Sequence, residues 1–77
     1  MNKKIIEVGI STEYITLGQF LKFADIIHSG GDAKIFLLSH DIVINNEIDN
    51  RRGRKLREND KIVVLNQVYK IIKNDCQ

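Results

Sequence analysis

The apolar residues of this 77-residue chain change period twice, from 2 to about 3.6 and back, and that change limits the fold more than any single motif. Ile6, Val8 and Ile10 alternate with Glu7 and Gly9, the pattern of a half-buried strand, and Ser11-Thr12-Glu13 ends it. From Thr16 onward Leu17, Phe20, Leu21, Ala24 and Ile27 or its neighbour recur at i, i+3, i+4 and i+7. Lys22 and Asp25 fall on the other side, which predicts an amphipathic helix. Thr16 and Gln19 have the spacing of a capping box, in which the hydroxyl accepts from the N3 amide and the glutamine returns to the cap amide. Ser29-Gly30-Gly31-Asp32 interrupts the pattern, and Ala33, Phe36, Leu37 and His40 resume it as a second helix. Ile42, Ile44 and Ile48 alternate around Asn45-Asn46, whose tolerance of positive φ predicts a hairpin turn. Glu58-Asn59-Asp60 then turns the chain into the β-branched run Ile62-Val63-Val64-Leu65, and Val68 to Ile72 adds a last strand or short extension. Strand, helix, helix and strands in that order read as one α+β domain over residues 1–77, with two packed helices against a small, mainly antiparallel sheet.

A chain this short supplies one hydrophobic core, and nothing in its composition cross-links that core. Cys76 is the only cysteine and can close no intrachain disulfide, so stability rests on packing of Ile, Leu and Val with a few aromatics. No stretch approaches the roughly 18 uninterrupted apolar residues of a membrane span. The N-terminal Met1-Asn2-Lys3-Lys4-Ile5-Ile6-Glu7 lacks the apolar stretch of a signal peptide. A cytoplasmic protein, with no contact to membranes, is expected.

Catalytic signals are missing. His28 and His40 have no metal-ligand spacing, and His40 reads as a partly buried or helix-capping residue near the end of helix two. Ser11, Ser29 and Ser39 lack a nucleophile-elbow setting, and no nucleotide-binding glycine motif occurs. The Gly30-Gly31 pair could cradle a phosphate at a helix start, but a tight corner between helices is the commoner use, and the Asp32 carboxylate competes for the same amides. The expectation is a protein without enzymatic activity, metal or cofactor.

The charge is unevenly spread. Arg51, Arg52, Arg54, Lys55 and Arg57 place five cations in seven residues without an acidic neighbour among them. Outside that segment seven basic residues face ten acidic ones, so the remainder carries −3 although the whole chain carries +2. All four arginines lie in the segment, and the planar guanidinium fork suits phosphate. That bias points toward a polyanion, but a solvated loop whose charges only maintain solubility fits the count equally well, and charge alone does not decide between them.

Three stretches carry a resemblance to a known family: Ile15-Thr16-Leu17-Gly18-Gln19-Phe20-Leu21-Lys22, Ser29-Gly30-Gly31-Asp32-Ala33-Lys34 and Arg51-Arg52-Gly53-Arg54-Lys55-Leu56, followed by Lys61-Ile62-Val63-Val64. In order and spacing they resemble the alpha-L RNA-binding motif, the module named after ribosomal small-subunit protein S-four, and most of all its stand-alone bacterial YaaA-like branch. The resemblance covers about residues 10–65. It implies two helices on a small, curved sheet, with RNA lying across the helical pair and the adjacent loop. Carried onto this chain, it implies RNA-binding roles for Lys22, Lys34, Asn45, Arg51, Arg52, Arg54 and Lys55. The chain departs from the pattern where larger members often start helix one with an arginine, since it has Thr16-Leu17-Gly18, and at the hairpin, where Asn45-Asn46 replaces Asn-Gly. The first departure shifts binding onto the Arg51 to Arg57 segment.

The expected function is non-catalytic binding of structured RNA by a monomer. The RNA would be ribosomal, free or in a ribosomal particle, bound during ribosome assembly or translation. Phosphates would meet the cations, while Asn45, Gln19 or the 2′-hydroxyl would give finer selectivity. The alternative is a protein-interaction module whose basic strip meets an acidic partner surface. Phe20 and Phe36 are expected in the core. Phe23, beside Lys22, is expected at the core's edge, with a base-stacking platform as the other reading.

Overall fold

The computed structural model describes residues 4–74. Strand β1 spans Ile5–Ile10 and short β2 spans Ile15–Thr16; helix α1 spans Leu17–Phe23 and helix α2 spans Gly30–Ser39. Strands β3 (Val43–Ile44), β4 (Glu47–Ile48), β5 (Lys55–Leu56), β6 (Lys61–Val64) and β7 (Gln67–Lys73) follow. The main sheet has the order β1-β7-β6-β3-β4, and β2 pairs with β5 as a separate two-stranded ribbon. Every pairing is antiparallel except β1 with β7, which runs parallel from Ile5↔Val68 to Ile10↔Lys73. The α+β class and the mainly antiparallel sheet agree with the sequence pattern. Cys76 and the first three residues lie outside the described region.

Val8 and Ile10 of β1, Leu17, Phe20 and Leu21 of α1, Ala33 and Leu37 of α2, and Ile44, Leu56, Ile62, Val64 and Ile71 of the strands form one buried cluster. Ile6, expected on the buried face, is exposed at the rim of the sheet. The Phe20 ring meets Tyr69 edge-on at 5.2 Å, a favoured aromatic geometry.

Local chemistry explains the element boundaries. The capping box forms: Thr16 N–H donates to Gln19 Oε1 at 2.9 Å, and Gln19 N–H donates to Thr16 Oγ1 at 3.3 Å. Helix α1 stops at Phe23, one turn before the apolar periodicity does. Asp25 takes φ 63°, and the amides of Asp25 and Ile26 donate back to the carbonyls of Lys22 and Leu21. This is the paired-bond stop of a Schellman motif, with aspartate where glycine is usual. Ile27, now in the loop between the helices, is still buried in the core cluster. Gly30 and Gly31 open α2 rather than forming a corner, and the chain turns before them, from Asp25 to Ser29. Phe36 is only half-buried, and its ring stacks on His40 at 4.2 Å. His40 itself is exposed and caps the helix end, its Nδ1 lying 3.2 Å from the Phe36 carbonyl oxygen.

Two hairpins have two-residue turns with both residues at positive φ, the backbone that suits the twist of the flanking strands. Asn45 and Asn46 (52° and 73°) join β3 to β4, as the sequence predicts. Leu65 and Asn66 (52° and 65°) join β6 to β7, so Leu65 belongs to a turn and not to a strand.

Candidate nucleic-acid interface

The basic segment is bolted to the start of α1. The first amides of a helix have no partner within it, and here Leu17 N–H donates to the Arg54 carbonyl at 2.8 Å and Gly18 N–H to the Arg52 carbonyl at 2.9 Å. The β2–β5 ribbon extends this attachment through Ile15↔Leu56 and Thr16↔Lys55, and Leu56 is fully buried. Gly18 permits the approach: a Cβ there would stand 2.8 Å from Arg52 Cγ. A side chain at Gly18 would press on the Arg52 side chain, while the Arg52 backbone oxygen, 3.6 Å away, would stay in ordinary contact.

The strap sorts its cations. Arg51 grips Asp49 through Nε and Nη2 at 3.0 and 2.8 Å, and Arg54 reaches the same carboxylate through Nη1 at 2.9 Å. The Arg51 fork, reinforced by Arg54 and opposed by partial burial, holds the Asp49 carboxyl well below the usual carboxylate range. The Arg51 side chain is 75% exposed and that of Arg54 25%, so the run is not uniformly solvated. These are the two ion pairs among the described residues, and Arg52 is in neither. It lines one groove with Gly18, Gln19 and Lys22 of α1, and a second with Lys34 and Leu38 of α2. Lys22, Lys34 and Arg52, far apart in sequence, thus border adjoining grooves across the two helices.

Lys55 and Arg57 turn elsewhere. Their charges lie 4.9 and 5.5 Å from the centre of the Tyr14 ring, within cation–π range. Asn45 is engaged within the protein: its Nδ2 donates to Asp60 Oδ1 at 3.1 Å and its Oδ1 accepts from Lys61 N–H at 3.1 Å. Asp60 also accepts from Arg57 N–H, so the hairpin tip and the end of the basic segment share one carboxylate.

Sequence reasoning missed Asp49, which stands just outside the run of cations. It also missed Asn50, whose Oδ1 accepts from Ile42 N–H while its Nδ2 donates to the Leu37 carbonyl and to Asp41. Asn50 anchors the strap's other end to α2 and to the segment that leads into β3. Phe23, placed at the core's edge by its spacing, is 64% exposed, and Tyr14 is 38% exposed. Because α1 ends early, Phe23 has no following helical turn to pack beneath.

Comparison with known proteins supplies the family. The S4 domain matches residues 8–72, which takes in both helices and nearly the whole main sheet. The chain is 58% identical over 57 residues, 74% of its own length and 80% of the relative's, to a protein of Bacillus subtilis (strain 168) described as "Probable ribosome maturation protein RlbA". With most of its length inside the family's match, the chain belongs to the S4 domain family.

Proposed function

We propose that this protein binds structured ribosomal RNA without catalysis, as a cytoplasmic monomer acting in ribosome maturation. The placement of Arg52 between Lys22 and Lys34 carries the reading, because it gives a phosphate backbone three cations across the helical pair that form no ion pair among the described residues. Family membership and the relative's description support the same direction. Arg51, Arg54 and Lys55 extend the positive surface, with Asp49 fixing the two arginine forks. Asn45 contributes by holding the hairpin tip in shape, since both ends of its amide are already bonded.

The test is a titration of a folded ribosomal RNA fragment at several salt concentrations. Neutralising about four phosphates gives a logarithmic slope of roughly −3 to −4, at about 0.9 per phosphate. A flat salt dependence, or tighter binding to an acidic polypeptide than to RNA, would assign the strip to a protein partner instead.

A further inference from the structure

The described surface has a second feature that phosphate contact does not use. A groove of about 730 Å³ runs between the segment leaving β1 and the outer side of α1, and its walls include Tyr14, Ile15, Gln19, Lys22 and Phe23. That volume lies in the range of small-ligand sites, roughly 300–1,000 Å³. Phe23 also borders the neighbouring cleft formed by Val8 and Tyr69, so its ring is a ridge between two depressions. A phenylalanine 64% exposed on a short helix adds little to the core, whereas a planar aromatic face is what an unstacked nucleobase requires.

We propose that this groove receives one unpaired nucleotide of the bound RNA, its base stacked on Phe23 beside Tyr14. The inference rests on the RNA-binding reading above. Continuity and charge decide the occupant. Gln19 and Lys22 line both this groove and the one beside Arg52, so a backbone held at Arg52 and Lys22 passes directly to the aromatic walls. Lys22 on one side, and Lys55 and Arg57 at the Tyr14 ring on the other, supply positive charge for the flanking phosphates. Glu13 is the one carboxylate in the lining. The Gln19 amide already accepts from Thr16 N–H through Oε1, which leaves its Nε2 as the end that can donate to a base edge.

The experiment compares two RNA hairpins, one with a fully paired stem and one with the same stem carrying a single extruded 2-aminopurine. Wild-type protein is expected to bind the second about 5- to 100-fold more tightly and to quench its fluorescence, in line with the usual value of one base–aromatic stack. Phe23→Ala should melt as wild type does, keep the affinity and salt slope for the paired hairpin, and lose the preference and the quenching. Phe23→Tyr should restore both. Equal affinity of wild type for the two hairpins overturns the proposal, and so does a Phe23→Ala protein that discriminates them as before, which would leave the ring to a protein partner. Failure of wild type to bind either hairpin with a salt-dependent affinity overturns the RNA reading itself.

Discussion

Asp49 separates arginines that look alike in sequence. By holding Arg51 and Arg54 it cancels one charge of the strap and fixes two forks, while Arg52 remains unpaired at the grooves. Asp49→Asn keeps an acceptor for the Arg51 amide but removes the negative charge, so the salt slope of RNA binding should steepen by about 0.7–0.9, measured as Kd between low and moderate salt. The same substitution has a pH signature. A carboxyl depressed in the folded state contributes stability that is full above its unfolded pKa, about 3.9, and is lost as pH falls through the folded value. Wild type should therefore lose more melting temperature than Asp49→Asn between pH 5 and pH 2. Packing shows a similar division between like residues. Phe20 and Phe36 have equivalent positions in their apolar stripes, yet Phe20 is fully buried against Tyr69 whereas Phe36 packs against the core only in part, with its ring on His40. Phe20→Ala should cost about 3–5 kcal/mol in a denaturant titration and Phe36→Ala well under half of that. Charge counting could not separate the arginines, because Asp49 stands in the same loop just outside the run, and spacing could not separate the phenylalanines, because Tyr69 belongs to another element.

Elements whose signal is local were legible: the capping box of α1, the Asn45-Asn46 hairpin and the β-branched run of β6. Elements made by a few backbone bonds were not. The β2–β5 ribbon contains two residue pairs, too few for a period to register, and the stop of α1 uses Asp25 where the expected signal is glycine. The turn after β6 was hidden for the opposite reason, since Leu65 continues an apolar run while its backbone is left-handed. A branched side chain at positive φ is strained, and this one is exposed and gains little from burial. Leu65→Asn, which makes this turn match the Asn45-Asn46 one, should raise stability by about 0.5–1 kcal/mol in urea denaturation without altering RNA affinity. A loss of stability would mean that Leu65 contributes packing that its exposure conceals.

The whole molecule joins distant parts of the sequence at two places, one in the sheet and one at the candidate interface. β7 lies between β1 and β6, and its parallel ladder with β1 brings the start and end of the described chain together, a pairing that alternation within either strand cannot reveal. At the other place the strap crosses the start of α1 and sets Arg52 near both helices. The sequence already pointed to the basic segment, but counting charges assigned the binding to the run itself. The assembled surface instead divides it into a fixed part on Asp49 and an unpaired part shared with Lys22 and Lys34. That division leads to a comparison of two variants. Converting Lys22, Lys34 and Arg52 to Ala removes three exposed cations that have no ion-pair partner among the described residues, so stability should change by roughly 0.5 kcal/mol or less per position while the salt slope flattens by about 2–3. Converting Arg51 and Arg54 to Ala strips Asp49 of both guanidinium partners and leaves its carboxylate in a largely covered site, so the melting temperature should fall. The pair removes two positive charges, taking Asp49 and its arginines from +1 to −1, against three removed by the triple, so the triple should weaken RNA binding more. If the pair lowers RNA affinity more than the triple does, with the fold intact in both, the binding centre lies at Asp49 and its arginines and not between the helices.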